Sequence, residues 1–248
     1  VDNTAAPYIS KPLSHGANII VTSTTKYIGG HGVSIGGLII DGGNFDWEAA
    51  GDRFPMLNSP DPSYHGAVWS QAAKPLGPIA YILRARVILL RDYGSAMSPF
   101  NAFTFIQGLE TLPLRMQRHC ENAEKVANFL LNHKKVEKVI YPSLMKDEFL
   151  KRAKTYLEKG FGALVGFELK DGVDAGKKFI DNLKMFYHVA NIGDARSLAI
   201  HPSSTTHSQL SGEEQLSSGV TPGYVRLSIG IEHIDDILQD LEQALNNI

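Results

Sequence analysis

The sequence has one cysteine, Cys120, in 248 residues. That excludes a disulfide framework and makes a reducing compartment the simpler setting. Cys120 sits in a helical pattern, where a buried, inert thiol is the expectation. No apolar run reaches the ~20 residues needed to span a bilayer, and no signal-peptide pattern is visible. The sequence therefore reads as a cytoplasmic chain with no membrane segment. Neither sign of charge is in excess: 24 Lys and Arg face 26 Asp and Glu, and they are scattered. Such a surface has no basic footprint, so nucleic acid and acidic membrane are not expected partners. Repeats and low-complexity tracts are absent. His201 and His207 flank "PSSTT", but their spacing fits no zinc pattern and no metal is expected.

What remains is an ordinary globular composition, 43% apolar and 20% charged, long enough for one large domain or two smaller ones. "ANIIVT" (Ala17 to Thr22) and "GGLII" (Gly36 to Ile40) read as short buried strands, the second closed by Asp41-Gly42-Gly43. Residues 44–66 are rich in Pro, Gly and Asp and read as a long loop, yet they carry Phe45, Trp47, Phe54 and Tyr64. Helical spacing follows over Ile79 to Tyr93. Ser98-Pro99 reads as a helix start. A long helix over Leu109 to His133 carries the apolar stripe Leu112, Met116, Ala123, Val126, Ala127, Leu130. Beyond it strands and helices alternate: "VEKVIYP", Phe149 to Glu158, "ALVGFEL", Asp174 to Leu183, "SLAIHP", "YVRLSIGI" and a terminal helix over Ile234 to Leu245. The fold class is α/β, with a boundary near residue 112 separating 1–112 from a smaller α/β unit, 113–248.

The chemistry gathers at "IIVTSTTKYIGGHG", Ile19 to Gly32. A single lysine, Lys26, follows an apolar strand, behind Ser23, Thr24 and Thr25 and ahead of three glycines. Lysine is a nucleophile when its amine is neutral, which burial or nearby positive charge favours. Ser23 and Thr25 fall on one side of the strand end and offer hydroxyl donors to an anion such as phosphate. Gly29, Gly30 and Gly32 let something approach the backbone closely. A surface lysine on an ordinary corner is the competing reading. Asp2 tips the balance. It ends a preceding strand, and neighbouring strand ends in a parallel sheet converge on one crevice. Lysine, carboxylate and hydroxyls at such an edge match pyridoxal 5′-phosphate: Lys26 for its aldehyde, Asp2 for its ring nitrogen, Ser23 and Thr25 for its phosphate. His31, after the glycines, reads as a structural hydrogen-bonding residue.

Five stretches in order carry a resemblance: "VDNT" (Val1–Thr4), "STTKYIGGHG" (Ser23–Gly32), "QGLETLPLRMQRH" (Gln107–His119), "SLAIHPSSTTHSQL" (Ser197–Leu210) and "YVRLSIGIEH" (Tyr224–His233). With them the chain resembles the second half of the cysteine/methionine-metabolism family of fold-type I pyridoxal-phosphate enzymes. The resemblance implies that Lys26 captures the cofactor and Asp2 pairs with its ring nitrogen. Ser23 and Thr25 would hold the phosphate, Arg226 would clamp the substrate α-carboxylate, and Ser197 would lie near that carboxylate and the lysine. Without the resemblance Arg226 would be an ordinary strand arginine in a surface salt bridge.

"GGLIIDGGNFDW" and "FPMLNSPDPSYHG" resemble the branch that replaces the acetate of O-acetyl-L-homoserine with sulfide, and give the long loop a substrate-side role. Sibling reactions, cystathionine γ-synthesis and methionine or cystathionine γ-lysis, remain open, as does a cofactor-free structural fragment. The family's ring-stacking aromatic, phosphate loop and neighbouring-subunit Tyr/Arg pair all precede the Asp strand. The chain is thus expected to be the C-terminal part of a PLP-dependent transferase whose N-terminal segment lies outside it, in keeping with its opening at Val1 without an initiator Met. The resemblance implies a homotetramer.

Overall fold

A computed structural model describes all 248 residues. β1 (Ile19–Ser23) and β2 (Gly37–Asp41) form an antiparallel pair. Asp2 adds a parallel bridge beside Val21: the Val21 amide donates to Val1 O and the Asn3 amide to Val21 O, both at 2.9 Å. The end-of-strand reading of Val1–Thr4 is thus realised as a single bridge. Pro12–His15 forms one 3-10 turn, ended by Gly16 at φ 88°. β2 departs from expectation. Its apolar residues Leu38, Ile39 and Ile40 are 39–42% exposed, because within this chain β1 is its only strand neighbour and only the short α3 and the Lys26 turn touch it.

Residues 44–66 are not simply a loop. They hold a 3-10 turn at Gly51–Arg53, the one-turn helix α1 (Pro55–Asn58) and a second 3-10 turn at Pro62–Tyr64. α2 (Trp69–Ala72) and α3 (Ala80–Arg84) follow, the latter continuing as a wider π-helical stretch to Asp92. Trp47, Leu57, Trp69, Ala73 and Ala80 make a small core of their own. Phe45 and Phe54 pack on Trp47, and Tyr81 stacks on it at 5.7 Å. The Trp69 indole donates to Asp61 at 2.8 Å. The aromatics therefore fold the insert on itself.

α4 (Pro99–Leu131) runs 33 residues from Ser98, with Pro99 at its first position; it is about 50 Å long. Pro113 deprives the Leu109 carbonyl of its usual donor without ending the helix. The expected apolar stripe, Leu112 to Leu130, is buried along its length. α4 passes unbroken through residue 112, and the main core draws on both sides of it, from Ile9, Tyr27, Ile28 and Phe105 to Leu245.

Beyond α4 lies a five-stranded sheet of order β3-β4-β7-β6-β5: β3 (Val136–Ile140), β4 (Leu164–Leu169), β5 (Tyr187–His188), β6 (Leu198–Ile200) and β7 (Tyr224–Ser228). Only the β5–β6 pair is parallel. α5 (Asp147–Tyr156), α6 (Gly172–Asn182), α7 (Gly212–Ser217) and α8 (Ile234–Asn246) complete the order. Val165, Phe167, Val225 and Leu227 on β4 and β7 are wholly buried against α4, α6 and α8. Each such side chain contributes roughly 1.5–3 kcal/mol of burial. No helix is long and apolar enough to cross a membrane.

Candidate functional site

Lys26 lies where the chain leaves β1. Residues Thr24–Ile28 make one wide, π-type helical turn, and at Lys26 the backbone departs from helical dihedrals (φ −89°, ψ −127°). Nearly every carbonyl of the turn has a partner. Thr24 O accepts from the Gly29 amide at 2.8 Å and Lys26 O from the Gly30 amide at 2.7 Å. Tyr27 O and Ile28 O accept from the guanidinium of Arg115, at 2.7 and 3.1 Å. Gly29 O contacts the His31 ring at 2.8 Å, which bears out the structural reading of His31. Gly30 O accepts from the Ala195 amide at 2.8 Å. Gly30 is required here: its φ is +75°, and a Cβ would come within 2.5 Å of Arg115 Nη1.

The Lys26 ammonium donates to the side-chain carbonyl of Asn191. Arg226, on β7, donates from Nη2 to the backbone carbonyl of the same Asn191 at 3.2 Å. Its Nε is buried with no partner, and no acidic side chain pairs with it, so the surface-salt-bridge reading does not hold. Residues 1–40 and 187–228 thus meet at one asparagine. The loop carrying Asn191 is pinned: the Gly193 amide donates to Ser228 Oγ at 3.0 Å, and a Cβ on Gly193 (φ +72°) would stand 2.6 Å from the Tyr27 amide nitrogen.

Asp2 pairs with Val21 in register, so it shares a face with Val21 and Ser23, opposite to buried Ile20 and Thr22. Its Oδ1 accepts from the Thr4 amide at 2.8 Å, and hydrogen bonds from Thr4 hold its carboxyl below the usual range. The Thr4 hydroxyl in turn accepts the Ser23 amide at 2.9 Å. Thr25 Oγ1 accepts from the Gly36 amide at 3.0 Å and donates to Gly36 O at 3.3 Å, tying the turn to the start of β2. Lys26, Ser23, Thr25 and Asp2 therefore share one strand end and its immediate neighbour.

Ser197 directly precedes β6. It is wholly buried; its hydroxyl donates to Glu232 at 2.9 Å and accepts the Gly230 amide at 2.9 Å. The side chain that meets the Lys26 ammonium is that of Asn191, six residues earlier. His201 is likewise committed, to Ser204 and the Pro222 carbonyl, each at 2.8 Å. Cys120 is buried, and burial pushes its thiol up. Sequence reasoning missed Asn191, a lone amide in a loop 165 positions from its partner, and the role of Arg115, whose partners are backbone carbonyls that leave no side-chain signature.

Comparison with known proteins agrees with this geometry. The family model described as Cys/Met metabolism PLP-dependent enzyme matches residues 1–246. The chain is 60% identical to O-acetyl-L-homoserine sulfhydrylase of Leptospira meyeri, over all of this chain and 57% of that protein. It is 48% identical to the homocysteine synthase of Schizosaccharomyces pombe, over 99% of this chain and 57% of that one. Its backbone superposes with a TM-score of 0.90, at 42% identity, on a crystal structure from Campylobacter jejuni described as a proposed O-acetylhomoserine (thiol)-lyase with N′-pyridoxyl-lysine-5′-monophosphate; 99% of this chain and 58% of that one are covered. The chain spans somewhat over half the length of these relatives. Its match along nearly every residue places it in the Cys/Met-metabolism family of PLP-dependent enzymes.

Proposed function

We propose that the chain carries the lysine-bearing part of an enzyme that converts O-acetyl-L-homoserine and sulfide to L-homocysteine and acetate. The observation that carries the reading is the convergence of Lys26 and Arg226 on Asn191. It sets an amine that can move protons beside a guanidinium that can hold a carboxylate.

The residues at the strand end fit pyridoxal phosphate. The Ser23 hydroxyl has no partner within the chain, and Thr25 holds Gly36 O only at 3.3 Å, so both can donate to a phosphate. Asp2, kept ionised by Thr4, suits a protonated ring nitrogen. When bound, this cofactor supplies an electron sink for charge developing on the substrate's α and β carbons.

Acetate leaves from the γ carbon, two bonds from Cα, so two protons must be taken before it can depart. Lys26, released from its role as the cofactor's anchor, takes the Cα proton, gives it up so that its amine is neutral again, and then takes a Cβ proton. Acetate departs with the Cγ–O bond pair, hydrosulfide adds at Cγ, and the protons return to Cβ and then Cα one at a time through Lys26. Arg226 Nη1, which has no partner within the chain, can donate to the substrate carboxylate while Nη2 holds Asn191 O. Asn191, whose carbonyl holds Lys26, keeps its amide N–H groups for the same anion. This fixes which Cα bond faces the ring.

The test is a nucleophile assay on the cofactor-loaded protein. Homocysteine should form from sulfide with O-acetyl-L-homoserine, and cysteine should not replace sulfide. Arg226→Lys should raise KM for the amino acid by ~10–100-fold, the equivalent of about 1.5–3 kcal/mol for a lost charged hydrogen bond. Preferred use of cysteine, or breakdown of substrate without a nucleophile, would move the chain to a sibling reaction. As partners the reading takes small-molecule substrates, a homotetrameric assembly and a cytoplasmic setting, the last supported by the lone, buried Cys120.

A further inference from the structure

Arg115 is the least expected charge in the molecule. It is 6% exposed, lies within α4 and has no carboxylate partner. Its four hydrogen bonds all go to neutral oxygens: Nη1 to Tyr27 O at 2.7 Å, Nη2 to Ile28 O at 3.1 Å and to Gly108 O at 2.7 Å, and Nε to Thr111 Oγ1 at 3.1 Å. A buried cation is costly unless paired, and here its partners are dipoles. Burial works against its charge, yet arginine stays protonated.

The surroundings are built to seat it. A Cβ on Gly108 would lie 2.2 Å from Ile28 O, so α4 touches the lysine turn at a glycine. A Cβ on Gly30 would collide with the guanidinium itself. Two of the three carbonyls that it holds belong to the residues directly after Lys26. Those residues cannot complete a regular helical ladder, because the backbone turns out of helical geometry at Lys26. Arg115 therefore closes in trans what the helix cannot close for itself, and the turn cannot rotate without breaking charge-assisted bonds.

We propose that Arg115 is a positioning residue for Lys26. Clamping the Tyr27 and Ile28 carbonyls fixes the direction in which the lysine side chain leaves β1, towards Asn191. This rests on the proposed function only in that Lys26 is taken as the residue that captures pyridoxal phosphate.

The test follows capture of pyridoxal phosphate by Lys26 in the protein stripped of cofactor. It reads the rate of appearance of the visible band, the band's circular dichroism and the borohydride-trapped adduct by peptide mass; kcat and KM follow on the reloaded enzyme. Arg115→Met should slow capture and lower kcat by ~30–100-fold, with KM within about threefold of the parent, the scale expected when a reacting group is misplaced by about 1 Å. Arg115→Lys keeps the charge but cannot reach three carbonyls, and should recover less than a tenth of the loss. Thr111→Val, at an exposed position, removes the brace on Nε and a long 3.4 Å bond to Gly108 O and should fold normally; it should slow capture by roughly threefold and weaken the dichroism. A Thr111→Val protein identical to the parent in all three readings, or full rescue by Lys, would overturn the proposal. A parent protein that forms no adduct at Lys26 would overturn both this proposal and the reading beneath it. Normal parent capture with unchanged variants would remove the clamp alone.

Discussion

The two sheets of the molecule stand in opposite relations to solvent. In the five-stranded sheet, β4 and β7 are central, flanked by strands and covered by α4, α6 and α8, and their core side chains are sealed. In the two-stranded sheet, β2 has strand-like, apolar sequence but lies open. Yet the lysine, the Asp2 carboxylate and the Ser23 and Thr25 hydroxyls all lie in or beside the open sheet, and only Arg226, with Asn191 from the loop between β5 and β6, comes from the closed one. Reactive groups must be reached by small molecules, so they sit where backbone and side chains are least covered. In the proposed function the closed sheet would supply the fixed half of the grip.

The widest separation between the two sheets should appear in amide exchange. Amides of Val165, Val225 and Leu227 should exchange at least ~10³-fold more slowly than those of Ile39 and Ile40 in the isolated 248-residue chain. Equal protection would mean that β2 is as cooperative as the closed sheet. Next, Phe167→Ala should cost about 3–5 kcal/mol in denaturant melts, while Ile40→Ala on the open strand should cost less than ~1 kcal/mol.

The seam between the sheets should be pH-sensitive. His119 is wholly buried, its ring set edge-on to Tyr27, one nitrogen 2.6 Å from Ile229 O and the other without a partner. Burial lowers it from 6.5 to about 4. Between those values the unfolded chain binds a proton that the folded chain does not. Stability should therefore be full above about pH 6.5 and fall as the pH drops towards 4, by on the order of 3 kcal/mol. His119→Gln should flatten that slope in melts at stepped pH. His133 and His201 are lowered by burial too and should leave a smaller residual slope of the same sign. The smallest effect belongs to the insert. Asp61→Ala leaves the Trp69 indole N–H without its acceptor and should lower the melting midpoint slightly, with a shift in Trp69 fluorescence and no change in the closed sheet.

Much of this arrangement was legible in residues. The β-branched run before Lys26, the Ser98-Pro99 start and the stripe from Leu112 to Leu130 each state a period or a cap, and each forms where its pattern says. β2 misleads because a continuous apolar run reads as buried whether or not anything covers it. The turns of residues 51–64 are three or four residues long, about a single helical repeat each, so no periodicity can announce them. The Arg226 strand was readable but its partner was not: "SLAIHP" drew attention to Ser197, whereas the loop before it delivers Asn191. Arg115 was visible only as part of a helix, because its burial depends on glycines at 30 and 108 that bring α4 against the turn.

The most direct test reduces the protein with borohydride after loading with pyridoxal phosphate, and then maps the modified peptide by mass. A single adduct on Lys26, lost in Lys26→Ala and retained in Arg226→Lys, is the predicted result. Adducts spread over exposed lysines, or a parent protein that takes up no cofactor, would contradict the assignment of Lys26 as the centre of the chemistry.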